Sequence, residues 1–155
     1  MNIFNYEKIK KNNIPYIIAE IGVNHECSMK NAKKLILSAK RGGAHAAKFQ
    51  TYKAYKIASK NSKSYWDLKQ ESTKSQFELF SKYDKFNEKD YKELSQFCKK
   101  NRIDFLSTPF DLESVDFLYK LMPAYKISSS DITNYPLLEK ISLKNPFSHY
   151  SFFVK

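Results

Sequence analysis

Four short stretches of this 155-residue chain end on groups that can do chemistry. Glu20 closes "YIIAE", Lys48 and Gln50 close "AHAAKFQ", Ser107 and Thr108 close "IDFLST", and Lys126, Ser128, Ser129 and Asp131 close "AYKISSSD". In each case polar groups follow an apolar run. A polar group buried without a partner costs about 1–3 kcal/mol, so these residues serve packing badly and ligands well. Lysine offers a point charge to phosphate or carboxylate, and when partly buried its pKa falls far enough to let it move a proton. Glu20 and Asp131 can bind sugar hydroxyls, orient water or act as a base. The alternative is purely structural: Glu20 neutralising Lys48 or Lys126, and the serines capping a helix.

The elements that must position these groups follow from periodicity. Tyr16 to Ile21 is a short, nearly continuous apolar run, as in a strand buried on both faces of a parallel sheet. Ser28 is placed to cap a helix whose Ala32, Leu35, Ile36 and Ala39 recur at helical spacing, with Gly42 and Gly43 as its stop. The pattern repeats: a second strand over Ala44 to Phe49, a long insertion from about Gln50 to Phe86 holding the short helix "SQFELFSKY", then the amphipathic helix "NEKDYKELSQFCKKN". "IDFLS" reads as a third strand, "DLESVDFLYKL" as a helix, "AYKIS" as a fourth strand and "YPLLEKISL" as a fourth helix. Alternation of this kind implies an α/β fold with parallel strands. With only three glycines and no GxGxxG or P-loop, the chain lacks the phosphate-binding turn of a nucleotide-binding open sheet. The expected architecture is a partial (β/α)8 TIM barrel, four strand-helix units of one that needs about 250 residues when whole. In a barrel the strand ends share one mouth, and Lys48 and Gln50, two residues apart, share one face.

Composition excludes several classes. The formal net charge of +11 comes from lysines spread through helical patterns and mixed with acids, which describes a solvated surface and not a nucleic-acid stripe. Cys27 and Cys98 lie far apart with no CxxC spacing, so neither a zinc ribbon nor a disulfide framework is indicated. The N-terminus "MNIFNYEKIKKNNIP" lacks a signal-peptide core, and no run reaches the length of a membrane span. A cytoplasmic protein with no membrane or nucleic-acid partner is expected.

"IAEIGVNH", "AAKFQT", "LSTPFD" and "YKISSSDI", in this order, resemble the N-terminal barrel half of the N-acetylneuraminate (sialic acid) synthase family, which includes legionaminic and pseudaminic acid synthases. The resemblance covers approximately Ile14 to Ile141. It implies a condensation in which carbon 3 of phosphoenolpyruvate attacks the aldehyde of an open-chain N-acyl-mannosamine, water adds at carbon 2 and phosphate leaves. It implies that Lys48, Lys126 and Ser129 hold phosphoenolpyruvate, with Thr108 at the same ligand. Gln50 and Asp131 are implied to contact the sugar, Phe110 of the third motif to line the substrate site, and Glu20 to lie near the reacting carbons, with Glu20 and Lys126 as the catalytic pair. Full-length members are homodimers.

The chain also departs from the family. Ser128 or Ser130 stands where glycine is common, and Asp131 replaces a frequent glutamate. "SYWDL" and "TKSQFELFSKYDKF" resemble the legionaminic branch, and Trp66 either stacks on a sugar or acyl group or anchors the long loop. The family uses a divalent metal, manganese or magnesium, held by two histidines on later strands. None of His25, His45 and His149 is expected to be a ligand. Residues 1–13 are expected to be an N-terminal extension, 14–143 the partial barrel and 144–155 a divergent tail, because "LKNPFSHYSFFVK" leaves the fifth-strand pattern as a truncated or frame-shifted reading would. Half a barrel should expose the inner faces of its strands and lack turnover alone. The rivals are an inactive remnant and another phosphoenolpyruvate-dependent aldol-type synthase.

Overall fold

The computed structural model describes residues 15–144 together with Lys11. The expectations for the extension and the tail therefore fall almost wholly outside the described residues. Strands β1 (Ile18–Gly22), β2 (Ala46–Thr51) and β3 (Asp104–Pro109) form a parallel sheet in the order β1-β2-β3. Between them run helices α1 (Met29–Arg41), α2 (Ala54–Ile57), α3 (Gln76–Tyr83) and α4 (Glu88–Lys100), and after β3 come α5 (Leu112–Leu118) and α6 (Tyr135–Lys144). The fold is α/β, a parallel strand-helix succession of the barrel type.

Local chemistry sets the helix ends. Ser28 accepts from the Asn31 amide at 3.3 Å to start α1, and Gly43 at φ +84° supplies the left-handed residue just past its end. Asn87 and Asp90 form a reciprocal capping box on α4. Asp111 accepts from the Glu113 and Ser114 amides, each at 3.0 Å, and so begins α5 immediately after β3.

The strands end later than their apolar runs suggest. β2 continues to Thr51 and β3 to Pro109, because ladder hydrogen bonds join backbone groups and ignore side-chain polarity. β2 is central, and every residue but Gln50 is buried. Ala47, Phe49 and Phe105 face the helices, where they meet Ile36, Leu94, Cys98, Val115 and Leu118 in one core. The opposite face carries Ala46, Lys48 and Gln50 from β2 and Asp104, Leu106 and Thr108 from β3.

Two expectations need correction. Ala124–Ser128 does not join the ladder as a fourth strand, and among the described residues the sheet has three. The reason lies at the free edge of β3: the Ser107 amide donates to Met122 Sδ at 3.4 Å, so a side chain occupies a place where a neighbouring strand's carbonyl would sit. Nor is the inner face of β2 and β3 uncovered, since Ala46, Leu106 and Thr108 are all buried. Tyr16 donates from its hydroxyl to Asp104 Oδ2 at 2.6 Å, reaching from the foot of β1 to β3 over the small Ala46, which sits opposite Asp104 in the register. Burial and the Asp104 carboxylate together push the Tyr16 phenol well above its ordinary range.

Candidate active site

The C-terminal ends of the strands bring most of the expected groups together. Glu20 and Lys48 are directly opposite in the β1–β2 register, and their side chains form an ion pair between Glu20 Oε2 and Lys48 Nζ. Lys48 Nζ also donates to Thr108 Oγ1 at 3.4 Å, which ties the middle strand to β3. The pair is asymmetric: the lysine side chain is 9% exposed and the glutamate 53%. The cation is thus fixed at the floor, while the carboxylate opens to the mouth.

Although Ala124–Ser128 is not a ladder strand, it is extended and alternates like one. Tyr125 and Ile127 enter the helix-side core, Tyr125 donating to the Val115 carbonyl at 2.6 Å. Lys126 between them is sent to the other side. There it is close enough to Lys48, Glu20 and Asp131 to feel each of their charges. Burial chiefly, and the Lys48 charge next, push the Lys126 ammonium below the usual lysine value, outweighing Glu20 and Asp131. Among the described residues Lys126 has no ion-pair partner.

A single turn of 3-10 helix, Ser129–Asp131, follows. Ser129 is exposed at its start. Ser128 and Ser130, the two serines at the glycine-like positions, hydrogen-bond each other at 2.8 Å. Asp131 is held by Asn134 Nδ2 at 3.2 Å and Ser130 Oγ at 3.3 Å, oriented beside Lys126 without a salt bridge. The serines are spent on shaping this turn as much as on any ligand.

Gln50 lies on the Lys48 face, next to Glu20: a Cβ placed on Gly22 would meet Glu20 Oε1 at 3.6 Å and Gln50 Nε2 at 3.9 Å. Gly22, at φ +57° and adjoining a register shift in β1, is a site residue that periodicity did not single out. Its signal was the glycine itself, directly after an acid at a strand end. Phe110 and Gln50 line a small apolar pocket of about 180 Å³.

Other residues are not brought in. Ser107 points to the helix side, where its hydroxyl bonds Thr51 Oγ1 at 2.6 Å. Trp66 donates to the Thr73 carbonyl at 3.1 Å and meets Tyr65 edge-on, which makes it a loop anchor. His25 is buried, stacked on Phe86 at 4.5 Å, and accepts from the Cys27 amide at 3.1 Å; burial lowers its pKa and keeps it neutral. His45 accepts from the Ile17 amide at the foot of β2. The described residues contain no cluster of three His, Cys, Asp or Glu groups able to hold a metal, so they do not fit a divalent-cation site. A hollow of about 470 Å³ between Lys92, Lys99, Arg102 and Lys120 lies at the opposite end of β3, away from all these groups. No helix among the described residues is long and apolar enough to cross a membrane.

The chain is 46% identical over 132 residues to an N,N'-diacetyllegionaminic acid synthase of Campylobacter jejuni, a match covering 83% of this chain and 39% of that protein. It is 36% identical to an N-acetylneuraminate-9-phosphate synthase of Drosophila melanogaster, covering 84% of this chain and 35% of the relative. Among solved structures, the N-acetylneuraminic acid (sialic acid) synthetase of Leptospira borgpetersenii in complex with citrate superposes with a TM-score of 0.74 at 30% identity, over 86% of this chain and 43% of that one. The chain therefore spans well under half the length of these proteins. The NeuB family matches residues 35–147, from within α1 through the whole of β2, β3 and the lysine-bearing turn, and to that family the chain belongs.

Proposed function

We propose that this chain provides the phosphoenolpyruvate-holding side of a synthase that condenses phosphoenolpyruvate with an N-acyl-mannosamine-like sugar to a nonulosonic acid. The observation that carries the reading is the pair of lysines at one mouth, one paired and one not. Lys48 is neutralised by Glu20, whereas Lys126 is half-buried, repelled by Lys48 and has no ion-pair partner among the described residues. A dianionic ligand relieves that repulsion and gives the Lys126 ammonium the counter-charge it lacks.

The roles follow from reach. Lys48 and Thr108 hold one end of the anion and Lys126 and Ser129 the other, charge-assisted contacts that shorten and strengthen in a water-poor site. Gln50, beside Glu20, and Asp131, beside Lys126, are the groups for sugar hydroxyls. Carbon 3 of phosphoenolpyruvate forms the new bond to the sugar aldehyde, whose oxygen takes a proton; water then adds at carbon 2, and the carbon–oxygen bond to phosphate breaks. The half-exposed Glu20 carboxylate accepts a proton from that water, and Lys126 with its lowered pKa can give one up. The names of the two synthases above support this reaction class. A divalent metal is not assigned a step, because no described residue set fits one.

The test is kinetic. In a legionaminic acid synthase whose corresponding segment is replaced by residues 15–144, Lys48→Ala and Lys126→Ala should each lower kcat/KM for phosphoenolpyruvate by about 10- to 100-fold, since a hydrogen bond to a charged group is worth about 1.5–3 kcal/mol. Unchanged kinetics in both variants would remove the site.

A further inference from the structure

At the foot of β3, opposite the lysine mouth, a hollow of about 470 Å³ opens between the C-terminal half of α4 and the segment after α5. That size falls in the range of about 300–1,000 Å³ typical of small-molecule sites. Its walls are of two kinds. Ile103, Phe105, Leu121 and Pro123 give it an apolar side, and Lys92, Lys99, Arg102 and Lys120 stand exposed around it. The two elements are tied to each other, because Ser95 Oγ on α4 donates to the Leu121 carbonyl at 2.8 Å. Among the described residues none of the four cations forms a salt bridge. One acid joins the lining, Asp104, which is buried and whose carboxylate takes the Tyr16 hydroxyl.

Helix electrostatics account for only part of this charge. Lys99 is in the last turn of α4, where a cation complements the helix dipole. Lys92 lies two turns earlier on the same face, Arg102 lies past the helix end, and Lys120 comes from another element. Arg102 sits at φ +54° as the left-handed residue that closes α4, its amide donating to the Lys99 carbonyl and the Ile103 amide to the Cys98 carbonyl, each at 3.2 Å. Glycine usually fills that position, since a side chain there is strained. Here it carries a guanidinium, and Lys40 Nζ pins the turn by donating to the Arg102 carbonyl at 2.7 Å. Strain held in place by its surroundings points to a use for the side chain that bears it.

We propose that the hollow is a second anion site, which takes a nucleoside triphosphate with its phosphates among the four cations and its base against Leu121 and Pro123. The proposal does not depend on the synthase reading. Arginine's fork grips two phosphate oxygens at once, and the lysines add point charges. An inorganic anion would use the cations alone and leave the apolar side wet. A flat base covers that side, and the exposed Gln96, on the same face of α4 as Lys92 and Lys99, offers a donor and an acceptor to the base edge. Binding also relieves the mutual repulsion of the four cations.

The experiment is a calorimetric titration of ATP, inorganic tripolyphosphate and adenosine into the full 155-residue chain without divalent cations, beside Arg102→Gly, Lys120→Ala and Lys48→Ala. ATP is expected to bind one to one, tripolyphosphate several-fold more weakly and adenosine more weakly still. Arg102→Gly and Lys120→Ala should each weaken ATP binding about tenfold or more, as loss of a charge-assisted contact requires, and Lys48→Ala at the mouth should leave it unchanged. Arg102→Gly should raise the Tm at the same time, because it frees the left-handed position of its side chain, so that lost binding does not report unfolding. No detectable ATP binding, an affinity unaltered by both Arg102→Gly and Lys120→Ala, or a loss confined to Lys48→Ala overturns the proposal. Tripolyphosphate binding as tightly as ATP overturns the nucleoside ligand. Phosphoenolpyruvate titrated into the same proteins reports on the mouth separately: Lys48→Ala should weaken it and Lys120→Ala should not.

Discussion

Lys126 shows at the scale of one residue how a site can oppose stability. Its folded-state pKa lies below the ordinary 10.5, so the unfolded chain holds that proton more tightly. A charged Lys126 therefore costs stability at every pH below its depressed value, and the cost fades as pH rises from there towards the ordinary one. Lys126→Met should raise the Tm of the unliganded protein at neutral pH, and phosphoenolpyruvate should raise the Tm of the unsubstituted chain but that of the variant far less at the same concentration. Thermal unfolding with and without the ligand checks both; a lower Tm with the ligand effect intact would contradict the account. Binding should also weaken as pH rises through the depressed value, because the ligand needs the ammonium. Lys126 was legible in the sequence because the alternation Tyr125, Lys126, Ile127 needs only an extended backbone. Ser107 was not separable from Thr108 by composition. Its direction depended on register, and the register turned it to Thr51.

At the scale of the element, the helices were the more readable because capping is local: Ser28, Asn87 and Asp111 each mark a start with side-chain oxygens on nearby amides. The strands run past the ends of their apolar stretches, and the fourth stretch stays outside the ladder, because pairing depends on a partner far along the chain. Met122 illustrates it: nothing in "LMPAYKIS" announces a sulfur accepting the Ser107 amide. One consequence is measurable by hydrogen exchange. The amides of Lys126 and Ile127, outside any ladder, should exchange much faster than those of Lys48 and Phe49 in the central strand. Equal protection would mean that a fourth strand forms after all. Gly22 is the second test at this scale. Gly22→Ala places a side chain in a left-handed conformation, which costs about 1–2 kcal/mol, and sets its methyl against the Glu20 carboxylate. Urea denaturation should show that loss, and phosphoenolpyruvate binding should weaken with it. Neither Gly22's φ nor the apolar pocket at Phe110 was legible, since both arise where β1, the insertion and β3 meet.

The whole molecule presents one side of a barrel mouth. A three-stranded sheet carries Glu20, Lys48, Gln50 and Thr108, and the extended segment after α5 adds Lys126 and Asp131, while the chain spans 39% of the C. jejuni synthase and 43% of the L. borgpetersenii synthetase. A polypeptide limited to these 155 residues should therefore bind the anion yet release no phosphate in the presence of an N-acyl-mannosamine. Sustained sugar-dependent release would show that this side suffices. The claim on which the rest depends is that the two lysines form one anion site. Calorimetric titration of phosphoenolpyruvate into the chain, beside Lys48→Ala, Lys126→Ala and the remote Lys99→Ala, tests it most directly. The account predicts that the first two substitutions each weaken binding by about 10- to 100-fold, as loss of a charge-assisted contact requires, and that the third leaves it unchanged. Equal affinity in all four proteins, or a loss no greater at Lys48 and Lys126 than at Lys99, would contradict it.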